Sequence, residues 1–464
     1  MTEDELAFAD CAKLQRLLSR KALSSRELTA LALSRLERYG PRYGAVITIL
    51  HERAQAEATR ADRERARGRV RGPLHGIPYG VKDLLATRDG STTWGAAPFR
   101  EQRFDFDATS VRRLASAGAV LVAKLAMVEL AGGFGYDDAD ASFTGPGRTP
   151  WNTDYWSGGS SSGPGAAVAA GLVPFALGSE TSGSILFPST CCGVTGLRPT
   201  YGRVSRHGAM ALCWTLDKLG PLSRSAADDE SVLRAVAGAD PLDPTAVTRP
   251  FPALPRRPKV GVLARATEKT MPAVRANFER TLGVLARFCE LHEGVALPEL
   301  PYGDAVETIV NAEGASAFRT LIESGRAREL QNAHDRIGGY VAYGTLAVDY
   351  LDAMRRRTQM SAALERAFGA YDAIVAPTLP TVAYPLALPF EKAYPKYPGA
   401  VTLIEPGNLA GLPAIGFPNG FGPHGLPSGC SLLGRPYGET VLTGIVRRYQ
   451  RATAFHLAHP RVEA

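Results

Sequence analysis

The chain has 464 residues, of which 45% are hydrophobic and 21% are charged, an ordinary composition for a folded globular protein. This composition excludes a disordered chain, because enough apolar surface is present to offset the entropy lost on ordering. The apolar runs all fall short of the roughly 20 residues that a membrane-spanning helix needs. The net charge of +7 comes from scattered basic residues, which favours solvated helix faces over a nucleic-acid surface. We therefore expect neither a membrane nor a nucleic acid among the partners.

The first predicted elements are helices. Ser24 and Glu27 have the spacing of a capping box, and helical spacing of apolar residues follows until Gly40-Pro41. A second helix, rich in Ala, Glu and Arg, is predicted over about 50–68. The acidic first residues lack the basic and apolar regions of a signal peptide. Six cysteines without the spacing of a disulfide framework or metal site indicate a reduced, cytoplasmic protein with no metal and no cofactor.

From residue 73 the pattern changes to short apolar runs, such as 119–123, that alternate with helical pieces, such as 108–117. This alternation predicts an α/β architecture. A Pro-rich stretch at 240–259 is typical of a connection. Beyond it we expect, in chain order, a strand at 259–264, a long helix to about 291, more helices to 369, a strand at 373–376 and a last helix around 438–454.

The segment GSETSGS at 178–184 is the first candidate for chemistry. Its small residues allow several backbone N–H groups to face one point, as an oxyanion requires, and Ser184 supplies a hydroxyl nucleophile. A serine nucleophile needs a base, and the segment has no histidine. Lys82, in the apolar stretch HGIPYGVKDLL, is a candidate, because burial lowers the pKa of a lysine and leaves a neutral amine. From these residues alone, a connecting Gly/Ser turn and a lysine paired with Asp83 remain the alternatives.

A rival pattern, Gly159-x-Ser161-x-Gly163, matches the nucleophile elbow of α/β-hydrolases. That elbow directly follows a buried strand, and residues 153–157 do not have a strand pattern. A conventional Ser-His-Asp esterase of this kind predicts that a histidine is essential and that Lys82 is dispensable.

Together these pieces resemble the amidase signature family. The resemblance rests on GGSSSGPGAAVAAGLVPFALGSETSGSILFPSTCCGVTGLRPTYGRVSRHG at 158–208, and further matches are PLHGIPYGVKD at 73–83, DATSVRRLASAGAVLVAKLAMVEL at 107–130, LDKLGPLSRSAAD at 216–228, YDAIVAPTLPT at 371–381 and NLAGLPAIGFPNGF at 408–421. It implies a single large α/β domain over 1–464, with a mixed central β-sheet wrapped by α-helices. Within it we expect an N-terminal helical segment (1–70), a catalytic core (71–240), a Pro-rich connection (241–260) and a second lobe that completes the sheet and the pocket (261–464).

The resemblance also implies a Ser–cis-Ser–Lys triad. Ser184 matches the nucleophile, Ser160 matches the bridging serine after a cis Gly159–Ser160 bond, and Lys82 matches the base. In the implied mechanism Lys82 takes a proton from Ser160, which takes one from Ser184, and attack on the carbonyl gives an acyl-enzyme. The residues implied to form the oxyanion hole with their N–H groups are Thr181, Ser182, Gly183 and Ser184.

Departures from the family pattern bear on the expected substrate. The usual G-T-D-T-G-G-S-I-R reads G-S-E-T-S-G-S-I-L here, and Ser182, which replaces a glycine, fits if its φ is negative. Leu186 replaces an arginine and Glu180 an aspartate, so Glu180 should find another donor or reach water, because a lone buried carboxylate is costly. Leu186 next to Phe187 favours an apolar pocket for neutral or aryl amides, anilides or carbamates. The residues that we expect to bind substrate are Gly133, Phe134, Leu186 and Phe187.

The expected function is therefore hydrolysis of amide C–N bonds by a stand-alone enzyme. We expect it to belong to the non-amidotransferase branch, with urethane cleavage included, and to act as a monomer or homodimer on a small-molecule amide or carbamate. The alternative is the glutaminase subunit of a tRNA-dependent amidotransferase, against which the apolar Leu186–Phe187 pair and the divergent TSGS loop argue. A non-catalytic binding relative is a further alternative, and the retention of all three triad residues argues against it.

Overall fold

A computed structural model describes residues 2–397 and 401–462. Within them the strands are β1 (Val46–Ile49), β2 (Pro78–Lys82), β3 (Val120–Leu125), β4 (Phe175–Glu180), β5 (Thr195–Arg198), β6 (Lys218–Ser223), β7 (Lys259–Leu263), β8 (Glu290–Val295), β9 (Ala373–Pro377), β10 (Ala414–Phe421) and β11 (Pro427–Gly434). They form one mixed sheet in the order β1-β3-β2-β4-β6-β5-β10-β11-β9-β7-β8. Because this sheet joins strands from both halves of the chain, the predicted fold class, a single α/β domain, is confirmed.

Helices pack against this sheet. They are α1 (Glu3–Ala7), α2 (Cys11–Ser19), α3 (Ser25–Tyr39), α4 (His51–Ala66), α5 (Thr109–Ser116), α6 (Ser162–Ala169), α7 (Leu186–Cys192), α8 (Ala226–Val236), α9 (Pro272–Leu285), α10 (Tyr302–Ala317), α11 (Arg319–Glu323), α12 (Ala333–Ala342), α13 (Ala347–Phe368), α14 (Phe390–Ala393), α15 (Ile404–Leu409) and α16 (Glu439–Ala452). In the part of the chain that the structure describes, none of these helices is long and apolar enough to cross a membrane.

Most of the predicted elements are confirmed. The Ser24 capping box opens α3, and α4, α5, β9 and α16 lie where helices and a strand are predicted. The helix predicted to continue to about 291 is wrong at its end, because α9 stops at Leu285 and β8 follows. Since β8 pairs in parallel with β7, the hydrogen bonds offered by the β7 edge outweigh the local helical pattern.

The centre of the sheet places the two candidate segments side by side. β2 and β4 are parallel neighbours, with Val81 opposite Leu177, and all of their residues are buried. Parallel strands covered on both faces are mostly apolar, and here the polar residues Lys82, Ser179 and Glu180 lie at the carboxyl ends of the two strands. The carboxyl ends of such strands meet at one edge of the sheet, so Lys82, at the end of β2, and the turn at 181–184, after β4, come together there.

Candidate active site

Lys82 ends β2, and its side chain is completely buried. Its Nζ donates hydrogen bonds to Ser160 Oγ at 2.8 Å and to Ser179 Oγ at 2.9 Å. Burial lowers the pKa of Lys82 to about 7, although the carboxylates of Asp217 and Glu180 oppose this shift. A large fraction of such a side chain is neutral at neutral pH, and a neutral amine accepts a proton.

Ser160 follows Gly159 through a cis peptide bond, the arrangement that the family resemblance implies. The glycines before it are required by close packing, since a Cβ atom on Gly159 would lie 2.6 Å from the Trp156 ring. The Ser160 carbonyl oxygen accepts a hydrogen bond from Val128 N at 3.1 Å. The hydroxyl is therefore presented to Lys82 by a backbone that is fixed on both sides.

Ser184 lies in the turn between β4 and α7 and is 7% exposed. Its carbonyl oxygen accepts a hydrogen bond from Ser161 N at 3.3 Å, so the turn touches the segment that carries Ser160. The fold thus brings together Lys82, Ser160 and Ser184, which are distant in the chain. Their catalytic roles stay predictions.

The turn at 181–184 is suited to receive an oxyanion. Its left-handed φ of 85° falls on Gly183 and not on Ser182, so the serine that replaces the family's glycine is accommodated. Thr181 Oγ1 donates to Asp217 Oδ1 at 2.6 Å, which fixes the start of the turn. Within the described residues, the N–H groups of Ser182, Gly183 and Ser184 donate to no protein acceptor. Unused N–H groups held in a fixed turn are the donors that an oxyanion requires.

Glu180 finds another donor, as expected, and that donor is Arg198 at the end of β5. Both side chains are completely buried, and Arg198 Nη1 lies 2.8 Å from Glu180 Oε1. Asn408 Nδ2 donates to the same oxygen at 2.8 Å, while Oε2 accepts from the N–H groups of Ile185 at 2.9 Å and Leu186 at 3.0 Å. Burial acts to raise the pKa of Glu180, but Arg198 and the other donors hold it below its ordinary value. The ionised carboxylate therefore fixes the end of the turn that carries Ser184.

A small cavity of about 30 Å³ adjoins the partners of Lys82. Its polar side includes Ser179, Thr181 and Asp217, and its apolar side includes Met210, Leu212 and Trp214. Burial raises the pKa of Asp217, although hydrogen bonds from Thr181 and from two backbone N–H groups oppose the shift. The cavity has room for water-sized groups beside the turn at 181–184.

The four residues predicted to bind substrate lie in different parts of the structure. Gly133 and Phe134 line a second cleft together with residues of α12. Phe187 is half-buried and packs against Trp156, with the ring centroids 5.4 Å apart. Leu186 is completely buried in an apolar cluster of the core. Contact between any of these residues and a substrate stays a prediction.

Sequence reasoning missed the contacts of Ser179, Asp217 and Arg198. Each of them lies inside a segment that carries the family resemblance, so the motif signal was present. Their partners are set by strand order, since Arg198 on β5 reaches Glu180 on β4 past the intervening strand β6. A single sequence does not give that order.

The nucleophile-elbow alternative gains nothing from the geometry. The Ser161 hydroxyl donates to Ser179 O at 3.1 Å and accepts from Ser179 N at 3.3 Å, so both of these hydrogen bonds go to the backbone of β4.

Over residues 2–397 and 401–462, no group of three or more His, Cys, Asp and Glu side chains is arranged to hold a metal ion.

A lysine whose pKa is lowered by burial, a serine in contact with it and an adjacent turn of unused N–H groups define an enzyme that acts on carbon–nitrogen bonds. The chain belongs to the amidase family, whose model matches residues 27–442. It is 37% identical to the glutamyl-tRNA(Gln) amidotransferase A subunit of Moorella thermoacetica, over 99% of this chain and 99% of that protein.

Two solved structures are also similar to the chain. The glutamyl-tRNA(Gln) amidotransferase A subunit from Thermotoga maritima matches with a TM-score of 0.79 and 30% identity, over 95% of each chain. The native peptide amidase from Stenotrophomonas maltophilia matches with a TM-score of 0.87 and 30% identity, over 98% of this chain and 99% of that one.

These comparisons correct the expected function and partners. The stand-alone, non-amidotransferase hydrolase is wrong, because the curated relatives, such as those at 37% and 34% identity, are named as amidotransferase A subunits over nearly their full length. The expectation of a small-molecule substrate alone, without nucleic acid or a partner protein, is wrong for the same reason.

The expected apolar pocket depends on Leu186, and this is the physical cause of the wrong substrate class. The side chain of Leu186 lies in the core, so it does not determine the polarity of the pocket. The buried ion-pair partner of Glu180 is Arg198.

Proposed function

We propose that the chain is the glutaminase-type subunit of an amidotransferase that acts on glutamyl-tRNA(Gln). The observation that carries this proposal is the contact of the buried Lys82 with Ser160 at 2.8 Å, beside Ser184, in a chain that resembles such glutaminase subunits from end to end. In this role glutamine is the amide donor, and the ammonia released from it serves the partner protein that holds the tRNA.

The first half of the reaction forms an acyl-enzyme. Neutral Lys82 takes the proton of Ser160 as Ser160 takes the proton of Ser184, and Ser184 Oγ forms a bond to the side-chain amide carbon of glutamine. The oxygen of the tetrahedral intermediate receives hydrogen bonds from the N–H groups of the turn at 181–184. The relay then returns a proton to the leaving nitrogen, the C–N bond breaks, and ammonia departs.

The second half of the reaction releases glutamate. Water gives a proton to the same relay as its oxygen attacks the glutamyl ester of Ser184. The ester bond breaks, the proton returns to Ser184 Oγ, and Lys82 is neutral again. The pKa of Lys82, lowered by burial to about 7, supports this exchange at neutral pH, because the ideal catalytic pKa lies near the working pH.

The test is the formation of glutamate and ammonia from L-glutamine by the purified chain, alone and with the proteins that copurify with it. We expect glutamate in equal amount to ammonia, and none from Ser184→Ala. The matched control is Ser116→Ala, an exposed serine on α5, which should keep the wild-type rate.

Two results would contradict the proposal. One is hydrolysis of a peptide C-terminal amide by a preparation that leaves glutamine intact with and without its copurifying proteins. The other is glutamine hydrolysis that persists in Ser184→Ala.

A further inference from the structure

We propose that Ser179 is a positioning residue that orients the amine of Lys82 so that its lone pair faces Ser160. The proposal rests on the role of Lys82 as base in the proposed function, and it adds a residue that orients this base without itself transferring a proton. Nothing in the family resemblance or in the comparisons assigns a role to this serine.

A neutral amine has two N–H donors and one lone pair. Lys82 Nζ has two hydroxyl neighbours, Ser160 Oγ at 2.8 Å and Ser179 Oγ at 2.9 Å. For Ser160 to give up its proton, the lone pair must face Ser160, and an N–H group must then find another acceptor. Ser179 Oγ is that acceptor, in the neutral and in the charged amine, whereas Ser160 changes from donor to acceptor as the proton moves.

The position of Ser179 is itself fixed by the segment that carries Ser160. Ser179 lies in β4, opposite Leu219 of β6. The hydroxyl of Ser161, the residue after Ser160, accepts from Ser179 N at 3.3 Å and donates to Ser179 O at 3.1 Å. The base, the bridging hydroxyl and the orienting hydroxyl therefore belong to one hydrogen-bonded unit.

Among the described residues, Lys82 Nζ donates hydrogen bonds to Ser160 and Ser179 and to no other acceptor. Ser179 is 7% exposed and lies on the wall of the cavity beside the turn. In Ser179→Ala the freed N–H of Lys82 would face that cavity. A water molecule there is held less firmly as an acceptor than the Ser179 hydroxyl, which is fixed on β4. We expect proton transfer to slow by about 10- to 100-fold, the scale of a small misplacement of a reacting group.

The same substitution has a second consequence that a purely structural role would not produce. Ser179 Oγ accepts a hydrogen bond from the ammonium form, and hydrogen bonding to a charged form favours it. Removing that acceptor should lower the pKa of Lys82 further, so the acidic limb of the pH profile should move to lower pH.

The experiment measures covalent labelling of Ser184 by phenylmethanesulfonyl fluoride, followed by intact mass from pH 5 to pH 9. This readout depends on activation of the serine but not on the natural substrate. Ser179→Ala should label about 10- to 100-fold more slowly, with its acidic limb shifted to lower pH. Ser179→Thr, which keeps the hydroxyl, should label within about threefold of wild type.

Labelling of Ser179→Ala at the wild-type rate, with an unshifted profile, would overturn the inference. So would a Ser179→Thr variant as slow as Ser179→Ala while its urea-unfolding midpoint is that of wild type. Lys82→Ala serves as the reference for a relay without its base. The two proposals can also fail separately. If labelling depends on Lys82 and Ser179 as expected but the protein leaves glutamine intact, the proposed function is rejected and this inference stands.

Discussion

Removal of the Arg198 guanidinium is the sharpest test of how the Ser184 turn is held. In Arg198→Met, Glu180 loses its ion-pair partner while both positions remain completely buried. The carboxylate keeps three other donors, Asn408 Nδ2 at 2.8 Å and the N–H groups of Ile185 and Leu186 at 2.9 and 3.0 Å. These neutral donors compensate the charge only in part.

The expected cost follows from burial. Breaking a buried ion pair by removing one partner costs about 3–5 kcal/mol, and the remaining donors place Arg198→Met near the lower limit, about 3 kcal/mol. Adding Glu180→Gln to Arg198→Met removes the uncompensated charge and should recover about 1–2 kcal/mol. Because Glu180 fixes the end of the turn, the rate of Ser184 labelling should fall as well.

The assay is urea unfolding followed by tryptophan fluorescence, with Arg356→Met as the matched control. Arg356 pairs with Asp352 at 2.7 Å, but the two side chains are 58% and 51% exposed, so its loss should stay within about 0.5 kcal/mol. An Arg198→Met protein that is destabilised no more than Arg356→Met would refute the reasoning. So would an addition of Glu180→Gln that brings no recovery.

Three further outcomes are expected. The rate of amide hydrolysis should rise with pH through about 7, because burial lowers the pKa of Lys82 to about 7, and a rate that stays flat from pH 5 to pH 8 would contradict this. Burial and the neighbouring Glu129 raise the pKa of Asp335, so wild-type stability should fall as pH rises from the ordinary value of about 3.9 toward the raised one. Asp335→Asn should therefore lose less stability than wild type between pH 5 and pH 9, and equal losses would count against a buried proton. Leu186→Arg places a second cation beside a carboxylate already paired with Arg198, and a thermal or urea scan should show destabilisation of about 2 kcal/mol or more.

The sequence was sufficient for the fold class and for the three residues that the fold brings together. Long blocks such as 158–208 preserve spacing within one stretch of chain, and the cis bond before Ser160 lies inside that stretch. Prediction failed where a contact joins segments that strand order or helix packing makes neighbours. Arg198 and Asn408 both reach Glu180, and neither is near it in the chain.

The wrong substrate class has the same origin. Leu186 is adjacent in sequence to Phe187 and follows Ser184 closely, so its sequence position predicts a place in the pocket. Because α7 begins at Leu186, its side chain turns into the core while its N–H group bonds Glu180 at 3.0 Å. Leu186 is thus close to Ser184 in the chain, but its side chain points away from it. The start of the helix determines this side-chain direction.

The most direct test of the central claim is capture of the glutamyl-enzyme by hydroxylamine. The protein, with the partners that copurify with it, is incubated with L-glutamine and hydroxylamine, and γ-glutamyl hydroxamate is measured by its coloured ferric complex. We expect hydroxamate with wild-type protein and none with Ser184→Ala or Lys82→Ala. Hydroxamate from Ser184→Ala, or none from wild type while glutamate still accumulates, would contradict an acyl-enzyme on Ser184.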